Sequence, residues 1–83
     1  MAYRIELSFH AERQFGKLTR SAQQNIAAAF ETLQSNPFAA DIKKLHKPLE
    51  GFRLRKGEYR ILFIIVGSTV TIYSIAHRKD AYR

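Results

Sequence analysis

Seven of the fourteen Lys and Arg residues in this 83-residue chain fall between positions 43 and 60. They are Lys43, Lys44, Lys47, Arg53, Arg55, Lys56 and Arg60, set against only Glu50 and Glu58. A shorter basic group, His77-Arg78-Lys79, stands near the C-terminus with Tyr82 and Arg83 behind it. Guanidinium groups match phosphate through paired N–H donors, and positive charge at this density recognises polyanions. An imidazole exchanges protons near neutral pH, and a phenol ring can stack on an unpaired base. Together these side chains could grip and distort a nucleotide's sugar–phosphate link. Residues 1–42 hold four basic side chains against four acidic ones, so the whole net charge of +7 belongs to the second half. Concentrated in this way, it implies a polyanionic partner, either nucleic acid or an acidic protein segment.

Hairpin geometry brings these cations together. If Lys56-Gly57 is a two-residue loop, Arg53 lies opposite Arg60; if the loop has four residues, 56–59, Arg55 takes that place. Either register opposes two arginines, and directly opposed like charges destabilise a sheet. A bound anion, phosphate above all, resolves the conflict. A second hairpin turning at Gly67-Ser68 returns His77 and Arg78 to the edge where Arg60 begins its strand. That end of the sheet should gather Arg53, Arg55, Arg60, His77, Arg78 and Tyr82 on one concave surface, with Lys43, Lys44 and Lys47 within reach. Taken singly, each arginine also fits a solvated strand face or an ion pair, and Glu50 or Glu58 could neutralise one. A phosphate site shared by Arg60 and Arg78 requires the two to converge without each being locked to an acid.

The elements that position these groups follow from apolar periodicity. Tyr3, Ile5 and Leu7 alternate as in a half-buried strand. Ser8 suits a helix N-cap, and Ala11, Phe15 and Leu18 form the buried stripe of a short helix. Ser21 and Gln24 make a capping box for a second helix, with Ala22, Ile26, Ala29, Phe30 and Leu33 on its apolar face and Asn36-Pro37 at its end. The two should form an antiparallel helical hairpin. Residues 38–50 connect them to the sheet and can include a short extended piece around Ile42 to Leu45. Phe52–Lys56, Tyr59–Val66 and Val70–Ala76 then read as a β-meander whose middle strand is apolar on both faces. The expected fold is α+β, in the order β-α-α-β-β-β, with the helical hairpin packed on an antiparallel sheet.

Composition bounds the rest. Eighty-three residues with 46% hydrophobic content and ten aromatic rings fit a single domain spanning 1–83 with a real core. The absence of cysteine excludes a disulfide framework, thiolate catalysis and zinc ribbons. The longest uncharged stretch, 61–76, is interrupted by Gly67, Ser68, Thr69 and Thr71 and is too short for a bilayer span. Glu6 and Glu12 stand where a signal peptide would need its apolar run. The chain therefore reads as a soluble cytoplasmic protein with no membrane partner.

The string GFRLRKGEYRILF at 51–63, followed by a hairpin and IAHRKDAYR at 75–83, resembles the RelE/ParE superfamily of bacterial and archaeal toxins from toxin–antitoxin pairs. Its marks are a basic strand, then G-[DE]-Y-R-[IVL], then an apolar strand ending in H-R-x-x-x-Y. The resemblance implies a ribosome-dependent endoribonuclease that cuts mRNA and inhibits translation, needs no metal or other cofactor, and is held inactive by a cognate antitoxin. It implies that Arg60 and Arg78 act on the scissile phosphate and that Tyr82 stacks on a base, although the spacing from Arg78 to Tyr82 is shorter than in some members. Arg53 and Arg55 fall on positions that are lysine in ribonuclease members. Arginine does not give up its proton, which leaves His77, Lys56 or Lys47 as the general base. Two other classes are open: a ParE-like DNA gyrase inhibitor of the same fold, and a non-catalytic RNA-binding module. The antitoxin should lay an acidic or amphipathic segment over the helices and the basic edge.

Overall fold

The computed structural model describes residues 2–39 and 42–79. Ser8 begins the first helix, α1 (Phe9–Gly16), its Oγ accepting from the Ala11 N–H at 3.1 Å, as its residue type predicts. The second helix, α2 (Arg20–Ser35), starts one residue before the expected capping box. Its cap is Thr19, whose Oγ1 accepts from the Ala22 N–H at 3.2 Å. The connection explains the shift. Lys17 and Leu18 donate back to the Gln14 and Phe15 carbonyls, and Gln23 Nε2 reaches the Phe15 carbonyl at 3.0 Å, so only three residues separate the helices. Asn36 ends α2 by donating to the Thr32 carbonyl, and the buried Pro37 that follows brings no donor to extend the ladder. The helices touch through Phe15 and Phe30, whose ring centroids lie 6.0 Å apart.

Five strands form the sheet: β1 (Arg4–Leu7), β2 (Ile42–Lys44), β3 (Phe52–Lys56), β4 (Tyr59–Val66) and β5 (Thr69–His77), in the spatial order β1-β5-β4-β3-β2. The short extended piece near Ile42 is thus a fifth strand, paired antiparallel to β3. β1 runs parallel to β5, with Ile5 beside Val70 and Leu7 beside Ile72, so the sheet is mostly rather than wholly antiparallel. Alternation within a strand fixes which side is buried; it does not fix the neighbouring strand or its direction. The β4 strand occupies the middle, as its apolar run requires.

Ala11, Ile26, Ala29 and Leu33 from the helices pack with Leu54, Ile61, Phe63, Val70, Ile72 and Ile75 in one buried cluster. Leu62 is equally buried but lies outside it, on the other side of β4. On that side, Pro48, Leu49 and Glu50 line a recess with Ile64 and Tyr73, and the Tyr73 hydroxyl donates to the Glu50 carbonyl at 2.7 Å. Gly51 lets this segment pass close to β4: its φ is +89°, and a Cβ there would sit 2.1 Å from the Phe63 carbonyl oxygen.

The β4–β5 hairpin turns at Gly67-Ser68, pairing Val66 with Thr69 and Phe63 with Ile72, but Leu62 pairs with Ser74. Tyr73 is therefore the extra residue of a β-bulge. Beyond it every partner advances by one, which keeps Val70, Ile72 and Ile75 all on the helix side.

Candidate nucleic-acid interface

The β3–β4 ladder closes with Lys56 opposite Tyr59 around a Gly57-Glu58 turn, and this register sets Arg55 directly opposite Arg60. On the neighbouring ladder Lys43 opposes Arg53. Arg53 and Arg55 are two apart, so both pairs share the sheet face turned away from the helices. Opposed side chains in such pairs have Cβ atoms about 4.5–5.5 Å apart. The open face thus carries two adjoining like-charge pairs where the sequence indicated one. The second could have been found by extending the alternation of β3 to the Ile42–Leu45 piece.

Arg55 and Lys43 are exposed; Arg53 and Arg60 are half-buried, and the Nε of Arg53 is fully covered. Arg60 Nη1 donates to the adjacent Tyr59 carbonyl at 3.3 Å. Among the described residues neither Arg55 nor Arg60 forms an ion pair, since the carboxylate of Glu58 is turned elsewhere. Its Oε2 lies 3.1 Å from Arg78 Nε and 3.8 Å from His77 Nε2. The Arg78 backbone N–H also donates to the Glu58 carbonyl at 2.6 Å, which fastens the end of β5 to the turn.

The remaining sequence-predicted residues divide by face. The Tyr73 bulge places His77 opposite Tyr59, one position past the Arg60–Ala76 pair and on the helix side of the sheet. An unbulged ladder would have set it on the face of Arg60. Its ring stands edge-on to Tyr59 at 5.7 Å, and its Nδ1 accepts from the Lys79 N–H at 3.3 Å. Lys44 and Lys56 fall on the helix side by the same alternation, and Lys47 is exposed in the segment after β2. Tyr82 lies outside the described residues. Of the expected concave group, the open face brings together Lys43, Arg53, Arg55 and Arg60, while Arg78 and His77 meet at the strand edge through Glu58. The acid-free convergence expected of Arg60 and Arg78 does not hold for Arg78. Its partner is an exposed acid, and exposed pairs of this kind contribute only about 0–1 kcal/mol.

Two helices on one face of a five-stranded sheet, with cations on the other, define a small α+β protein built around an open basic surface. The same fold occurs in the toxin–antitoxin complex RelBE2 from Mycobacterium tuberculosis, with a TM-score of 0.84 and 30% identity over 94% of this chain and 100% of that one. It occurs also in the RelE–RelB complex of Pyrococcus horikoshii, with a TM-score of 0.81 and 20% identity over 98% and 100% of the two chains. A sequence from Methanocaldococcus jannaschii named for a RelE1 toxin is 26% identical over 88 aligned positions, covering all of this chain and 98% of that one. The family described as the ParE toxin of type II toxin–antitoxin systems, parDE, matches residues 5–82. The chain belongs to this RelE/ParE family and is the toxin of a type II toxin–antitoxin system.

Proposed function

We propose that this toxin is a ribosome-dependent endoribonuclease that cleaves mRNA and so inhibits translation. The observation that carries the reading is the pair of opposed like charges on the open face, Arg55 against Arg60. Such an arrangement opposes folding and favours an anion placed between the side chains. In the reaction a ribose 2′-oxygen loses its proton and attacks the adjacent phosphorus. The bond to the 5′-oxygen breaks, that oxygen takes up a proton, and the products are a 2′,3′-cyclic phosphate and a 5′-hydroxyl. Arg60 and Arg55 stabilise the added negative charge on phosphorus, commonly the largest catalytic effect at such a site. Lys43 and Arg53 hold flanking phosphates. Arg78 serves the scissile phosphate and leaving oxygen from the strand edge, and Tyr82 stacks on an unpaired base; His77 lies on the helix side of the sheet, away from Arg55 and Arg60, and is not given the proton transfer. Lys44, Lys47 and Lys56 add to the field that attracts RNA. The working site is the ribosomal decoding site in the cytoplasm, and the restraining partner is a cognate antitoxin.

Arg60→Ala and Arg78→Ala are the test. Loss of one charge-stabilising donor should lower cleavage of ribosome-bound mRNA by about 100- to 1,000-fold, with much smaller loss of ribosome binding. Equal losses of binding and effect would identify a non-catalytic RNA-binding module. The family's ParE description favours a second reading, a DNA gyrase inhibitor. Induction that triggers a DNA-damage response while transcripts remain intact would select it.

A further inference from the structure

We infer that Glu58 occupies, between Arg78 and His77, the place of an RNA phosphate, and that it sets RNA affinity by competing for that place. This rests on the proposed function only in taking RNA as the ligand.

One carboxylate oxygen, Oε2, is paired with the Arg78 guanidinium at 3.1 Å and lies near the His77 Nε2 at 3.8 Å, beyond hydrogen-bond distance. A non-bridging phosphate oxygen would need the same two partners. Both side chains are held without help from the carboxylate. The backbone bond from Arg78 to the Glu58 carbonyl fixes the strand end, and the edge of Tyr59 and the Lys79 N–H on Nδ1 orient the His77 ring. With Nδ1 accepting, the neutral imidazole carries its proton on Nε2, the nitrogen nearer Glu58. The Glu58 side chain is 60% exposed and that of Arg78 58%, so the carboxylate can swing into water without opening the core. Binding is then an exchange of one anion for another over a prepared pair of donors, the Arg78 guanidinium and the His77 Nε2–H. A purely structural tie would be redundant, because the backbone bond already joins the turn to the strand end.

The test is binding of a 2′-O-methyl single-stranded RNA, which cannot be cleaved, to the full-length toxin, followed by fluorescence anisotropy at low salt. Glu58→Gln should tighten binding about two- to fivefold, the range an exposed ion pair represents. Glu12→Gln makes the same charge change in the first turn of α1 and should give a distinctly smaller gain. In an Arg78→Ala background the advantage of Glu58→Gln should disappear. A gain no larger than that of Glu12→Gln, weaker binding, or a gain that persists without Arg78 would each overturn the assignment. Cleavage does not enter the measurement. Wild-type toxin that leaves ribosomal mRNA intact would therefore sink the nuclease reading and leave this one to stand or fall on the anisotropy.

Discussion

Arg55 and Arg60 face one another across β3 and β4 with no ion pair to either among the described residues. Opposed like charges destabilise a sheet by about 0.2–1 kcal/mol, with the lower figure favoured where, as at Arg55, water screens the charge. Arg55→Ala should therefore raise the thermal midpoint slightly while weakening RNA binding. A lower midpoint would mean that this guanidinium supports the fold, and the anion-site interpretation of the pair would fail. The opposition was legible in the sequence because hairpin closure leaves only two registers, each of which sets an arginine against Arg60. The destination of Glu58 was not legible. Its side chain sits at a turn, where alternation gives no direction, and its partners His77 and Arg78 arrive from nineteen and twenty residues away only after the second hairpin has closed.

The two helices and the meander follow from apolar spacing and cap residues, and these were readable. The cap is not fixed by residue type, because Thr19 and Ser21 both have capping hydroxyls and only the tight return of Lys17 and Leu18 onto α1 selects the earlier one. Thr19→Ala should cost about 1 kcal/mol of stability, whereas Ser21→Ala, inside the first turn, should change it little. Denaturant midpoints of the two variants measure this directly, and the reverse ranking would restore the expected capping box. The bulge leaves its own mark in the sequence. Val70, Ile72 and Ile75 are spaced two and then three apart, a break in period two that marks an extra residue between them, and Tyr73 is that residue. The same break puts His77 on the helix side. The parallel partnership of β1 with β5 left no comparable trace, since pairing direction depends on where α1 and α2 return the chain and not on the residues of either strand.

Charge organises the molecule more sharply than shape does. Residues 1–42, which form β1 and both helices, are neutral in sum, whereas the segment 43–60 has seven cations against two acids. The helices cover one side of the sheet and leave Lys43, Arg53, Arg55 and Arg60 on the other, so RNA should meet a localised patch and not a diffuse cloud. Counterion release then gives a quantitative expectation: four phosphate contacts on a single strand correspond to a slope of log affinity against log salt near roughly −3. Replacing Lys43 or Arg55 by Gln should reduce the magnitude of that slope by about 0.7 for each contact removed. Lys17→Gln and Arg20→Gln, at the end of α1 and the start of α2, remove the same charge from the protein but contact no RNA in this arrangement. Their slopes should match the wild type. If all four substitutions flatten the slope equally, the positive charge acts only as a global attraction, and the open face of the sheet loses its claim to be the RNA-binding surface.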